Sequence, residues 1–126
     1  MRALLLALAL IPFLVWAGRD AAYHLRDRKP GILENVTHVL LGGSQLWVVV
    51  AAFRADISRI ALAAMVVAVF GSLDEFVFHR GLSARESDLH AKSHLALFGF
   101  VALAMALVTY PDLAAVLSVF HGGRAP

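Results

Sequence analysis

The 126-residue chain contains no cysteine and carries few charges. Without cysteine there can be no disulfide and no thiolate metal site, which leaves His, Asp and Glu as the only strong metal ligands. Charged residues make up 16% of the chain against 60% hydrophobic, and the mean hydropathy is +0.77. That balance excludes an ordinary small soluble domain. Also missing are a serine or cysteine nucleophile constellation, a phosphate-binding glycine loop and a Walker motif. The net charge of +2 and pI near 9.5 do not form a basic stripe interleaved with aromatics. The basic residues lie in short clusters between apolar runs, where they read as topology signals, so no nucleic-acid partner is expected. What is there is membrane-like, and the lipid bilayer is the expected partner.

Four apolar runs are long enough to cross a hydrocarbon layer of about 30 Å at about 1.5 Å per helical residue. They extend over about Ala3 to Tyr23, Ile32 to Phe53, Ile57 to His79 and Ser83 to Thr109. Pro12 is tolerated in a membrane helix, Pro30 suits the first turn of the second, and Pro111 interrupts the fourth. The start, MRALLLALALIPFLVWAG, has a signal-like pattern but is read as an uncleaved helix. Residues 112–126 are too short for another crossing, and a short interfacial helix is expected at 112–123. The predicted fold is therefore all-α: a single-domain integral membrane antiparallel four-helix bundle with a C-terminal interfacial helix.

Alternating spans bring the end of helix 1, the start of helix 2, the end of helix 3 and the start of helix 4 to one membrane face. Every intramembrane acid and histidine falls there: Asp20 and His24, Glu34 and His38, Asp74, Glu75 and His79, and Glu86, His90 and His94. Each helix bears an acid-x-x-x-His step, whose members share one helix face. The opposite half offers apolar and small residues with Ser44 and Gln45. Acids buried in a membrane without basic partners call for cations. Of Asp74 and Glu75, about 100° apart on an α-helix, Glu75 is expected to point inward because it steps to His79.

The steps Glu34-x-x-x-His38, Glu75-x-x-x-His79 and Glu86-x-x-x-His90 resemble the carboxylate and histidine clusters of ferritin-like di-metal four-helix bundles. The spacing differs from the Glu-x-x-His of those families, and histidine is richer. His90-x-x-x-His94 is also similar to one histidine box of the membrane desaturase and hydroxylase group. The resemblance implies two divalent ions, with Glu34, His38, Glu75, His79, Glu86 and His90 as ligands. His94, Asp74, His24 and Asp20 are further ligands or orienting neighbours. The nitrogen-rich donor set favours zinc, with iron next.

Blander roles compete at single positions. Glu86 follows Ser83 at capping-box spacing, His79 ends a helix, and Asp20 beside Arg19 is expected as an ion-paired or snorkelling group. Asp88 and His121 read as solvated, and Gly42, Gly43 and Gly71 as sites of close helix packing. No catalytic residue is assigned from the sequence. The functional expectation is a membrane-embedded metal hydrolase acting on a lipid-like or apolar substrate. The alternatives are a di-iron oxidase or oxygenase, a metal store, sensor or transport element, and a b-type cytochrome. Arg26, Arg28 and Lys29 favour a cytoplasmic site face in the plasma or inner membrane, whereas the signal-like start argues the opposite. Exposed apolar faces suit a homodimer.

Overall fold

The computed structural model describes residues 1–27 and 30–113. The expected interfacial helix lies outside them from residue 114 onward, as do His121, Arg28 and Lys29. Among the described residues the chain is all-helical, with four long helices and no strand: α1 Arg2–Asp27, α2 Ile32–Phe53, α3 Ile57–Leu73 and α4 Ala84–Thr109. A single π-helical turn, Asp74–Phe78, continues α3. Each of α1, α2, α3 with its π-turn, and α4 is long and apolar enough to cross a membrane. Large apolar side chains such as Leu8, Leu14, Val39, Met65, Val69 and Leu95 are more than half exposed, a surface that water would disfavour.

Local signals explain the breaks. Pro30 sits one residue ahead of Gly31, the N-cap of α2, rather than in its first turn. Asp56 caps α3 by accepting from the Arg59 N–H at 3.0 Å, and Ser83 caps α4 by accepting from the Glu86 N–H at 3.2 Å. Gly81 takes φ +87° in the turn that leads from His79 to α4, a conformation glycine adopts freely.

The α2–α3 turn is a Schellman motif, in which Asp56 N–H donates to Ala51 O and Ala55 N–H to Ala52 O, both at 3.1 Å. Its left-handed position is held by Ala55 at φ 58°, where a glycine is usual. Ala55→Gly is expected to stabilise the protein by about 0.5–1 kcal/mol, the left-handed penalty less the extra chain entropy of glycine. A higher thermal midpoint in detergent checks this; an unchanged or lower one contradicts it.

Buried apolar residues come from the first half of α1 (Leu6, Phe13), the middle and second half of α2 (Leu41, Val48, Ala51, Ala52), the first two thirds of α3 (Ile60, Ala63, Val67) and the second half of α4 (Leu97, Phe100, Ala104, Leu107). The complementary segments bury most of the polar groups, His24, Glu34, Thr37, Asp74, His79, Glu86, His90 and Ser93, while Ser44 is buried in the second half of α2. Small alanines in the apolar part let helices approach closely. α1 packs chiefly on α4 and α2 chiefly on α3, so α1 meets α2, and α3 meets α4, more sparsely. A cleft lies along each sparse seam.

Candidate metal centre

The π-turn decides which acid faces inward. His79 N–H donates to Asp74 O at 3.0 Å, an i to i+5 closure that stacks His79 over Asp74 instead of over Glu75. Asp74 is consequently 1% exposed, while the Glu75 side chain is 51% exposed. This corrects the expectation that Glu75 turns inward, which assumed an unbroken α-helix through residue 79.

Around Asp74 stand histidines from two other helices, α2 and α4, and from its own turn. His38 Nε2 lies 3.1 Å from Asp74 Oδ1, His79 Nδ1 3.5 Å from Oδ2, and His90 Nε2 4.0 Å from Oδ2. Neither Asp74 oxygen has a hydrogen-bond partner of good direction among the described residues. A buried carboxylate facing ring nitrogens without directed hydrogen bonds is a costly arrangement unless a cation sits between them.

Two histidines are oriented by the same acid. His24 Nδ1 lies 3.0 Å from the backbone carbonyl of Asp20, and His90 Nδ1 lies 3.1 Å from the Asp20 carboxylate Oδ2. Carbonyl and carboxylate oxygens only accept, so both Nδ1 atoms donate and, in the neutral rings, both Nε2 atoms present lone pairs inward. This is the device by which carboxylates orient metal-ligating imidazoles. Asp20 is thus turned toward His90 and does not pair with Arg19. The Arg19 guanidinium instead lies over the Trp16 ring at 5.2 Å, with Lys92 Nζ 5.0 Å from the same ring.

The five imidazoles form one connected row. Ring centroids are 5.5 Å apart for His24 and His38, 5.4 Å for His24 and His79, 4.5 Å for His79 and His90, and 4.4 Å for His90 and His94. Two sets offer ligand atoms that all lie within 4.8 Å of one another: His24, His38 and His79, and Asp74, His79 and His90. A buried His/Asp cluster able to hold a metal ion is therefore present.

The remaining acids lie around the edge of this cluster. Glu86 combines its place in the capping turn with a carboxylate 3.6 Å from His24 Nε2. Glu75 Oε2 lies 3.4 Å from His90 Nε2 and 3.9 Å from His79 Nδ1. Glu34 is buried in the first turn of α2, where an acid complements the helix dipole. Glu34, Glu75 and Glu86 fall in neither tight set. Asp88 is exposed and pairs with Lys92 at 2.6 Å. Thr37 and Ser44 bond back to carbonyls of their own helix.

Compared with known protein families, curated proteins and solved structures, the chain matches none. Its chemistry is read from its own residues. The three-histidine set borders a cavity of about 290 Å³ between α1 and α2, whose apolar wall includes Ala17, Ala21, Leu25 and Leu41. In the sequence Asp74, His24 and Asp20 stand behind the glutamates as candidate ligands. The signal that would have raised Asp74 is its five-residue step to His79, the spacing a π-turn aligns.

Proposed function

We propose that the chain is an integral membrane protein whose four helices cross the bilayer in alternating directions as a bundle. One end of that bundle holds a divalent transition-metal ion for hydrolysis of a lipid-like or apolar substrate. The observation that carries this reading is the convergence of His24, His38 and His79 within 4.8 Å, beside buried Asp74 and under an apolar cavity. Three imidazoles with a carboxylate make zinc the first choice and iron the second. The edge-to-face imidazole contacts leave no slot for a porphyrin between the rings, which argues against haem.

Within this reading His24, His38 and His79 bind the ion, and Asp74 supplies charge balance. When bound, zinc provides Lewis-acid activation of a water. Glu86, 3.6 Å from His24 Nε2, is placed to take up the released proton. Asp20 fixes the tautomer of His24 through its carbonyl. The apolar cavity wall along the sparse α1–α2 seam suits an acyl chain entering from lipid. An iron-loaded site with oxygen chemistry is the second reading, favoured by the carboxylate lying among several imidazoles.

The test is elemental analysis of the full chain purified in detergent without added metal. Wild-type protein is expected to carry zinc, and His38→Ala to lose most of it. Hydrolysis of a long-chain nitrophenyl ester should stop on chelation and return with zinc. Absence of bound metal after growth in zinc- and iron-supplemented media would overturn the metal reading. Zinc without hydrolysis would remove the enzyme and leave a store, sensor or transport element.

A further inference from the structure

On the far side of the imidazole row, the α3–α4 seam holds a second cleft of about 390 Å³ lined by Gly71, Glu75, His90 and His94 among others. We infer that this cleft contains a second metal site, formed by His90, His94 and Glu75 and joined to the first site through Asp74. The inference rests on reading the three-histidine set as a metal site and extends it to two ions facing different clefts.

His90 Nε2 is the centre of the argument. His94 Nε2 lies 3.0 Å from it, Glu75 Oε2 3.4 Å and Asp74 Oδ2 4.0 Å. A tetrahedral zinc with bonds of about 2.0–2.1 Å needs donors about 3.4 Å apart, a spacing close to that of the His90–His94 and His90–Glu75 pairs, and rotation of the half-exposed Glu75 side chain toward His94 would bring the three onto one ion. His90 and His94 are four apart on α4, the spacing that puts two zinc-binding imidazoles on one helix face. Because His90 donates its Nδ1–H to Asp20, its Nε2 lone pair faces two carboxylate oxygens. In the neutral ring a hydrogen bond from His94 leaves that repulsion in place, and a cation at Nε2, a metal ion or a proton, removes it.

The backbone makes room for this cluster at Gly71. A Cβ there would meet His94 Cε1 at 3.3 Å, a tight contact that the imidazole relieves only by shifting a few tenths of an ångström. Asp74 links the sites because Oδ1 faces His38, in the first set, while Oδ2 faces His79 and His90. The second site is nearer the surface than the first, since half of Glu75 is exposed. It suits an ion that exchanges more readily.

The experiment is titration of the metal-stripped full chain in detergent with zinc chloride alone, with stoichiometry read by elemental analysis and calorimetry. Wild type is expected to bind two equivalents. His94→Ala and Glu75→Gln should each bind one, with His38-dependent binding retained, and Gly71→Ala should weaken the second equivalent at least tenfold. One equivalent in wild type, unchanged by His94→Ala and Glu75→Gln, would overturn the second site while leaving the first intact. No binding at all would overturn both. Two equivalents in Glu75→Gln and His94→Ala alike would also overturn it. Should His94→Ala lose both ions, Glu75→Gln decides, because its half-exposed side chain is not part of the packed interior: one ion supports the proposal and two or none overturn it.

Discussion

Asp74→Ala is expected to abolish metal binding at both positions while the helices remain folded. Asp74 is the most buried acid of the cluster, and three histidines, His38, His79 and His90, face its two oxygens. Loss of an orienting neighbour typically weakens a metal site about 10–100-fold, and loss of a carboxylate that itself balances the ion's charge should exceed that. Zinc at a hundred times its Kd stabilises a folded protein by about 2.7 kcal/mol. The wild type should therefore show a clear rise in thermal midpoint with zinc, and Asp74→Ala none. Circular dichroism guards against a trivial unfolding result. Asp74→Asn, which keeps the shape and removes the charge, should behave like the alanine variant. A wild-type zinc content and zinc-dependent shift in both variants would show that Asp74 is only a structural acid.

The second large effect concerns the apolar part. Phe100→Ala removes a side chain that is 1% exposed and packs with the Leu97, Ala104 and Leu107 stripe of α4. In lipid the transfer contribution is small, because hydrocarbon replaces hydrocarbon, so the loss is mainly the cavity left behind. Roughly 100 Å³ at about 24 cal/mol per Å³ gives about 2.4 kcal/mol of destabilisation. The measurement is thermal or denaturant unfolding in detergent, alongside zinc content. Stability should fall with metal stoichiometry unchanged, since Phe100 lies outside the donor cluster. A loss of zinc as deep as that of Asp74→Ala would mean that core and site are not separable.

These two outcomes mirror how the molecule is divided, and much of that division is readable in the chain. Hydropathy marks the four long helices, because a 20-residue apolar run has few ways to satisfy its backbone other than as a helix. Ser83 three residues before Glu86 announces the start of α4, and Glu86 both completes that turn and reaches His24. The gathering of acids and histidines near chain turns is also visible, since burial of such groups is costly and must be shared. Asp20, by contrast, reads as a surface partner of Arg19. Only packing of α1 on α4 turns it toward His90.

Composition and periodicity by themselves determined an all-helical, membrane-length chain with the acids and histidines of its helices gathered in one half of each, because those features follow from local hydropathy and spacing. Tertiary structure alone decided that Asp74 is buried at the centre of the cluster while Glu75 stays half-exposed at its edge. The π-turn at Asp74–Phe78 changes the spacing from four to five, and a backbone closure of that kind is set by how the helix end packs, not by its side-chain period. It also decided that the imidazole row separates two clefts. The pairing of α1 with α4 and α2 with α3 opens those seams, and long-range packing is not encoded in any single helix.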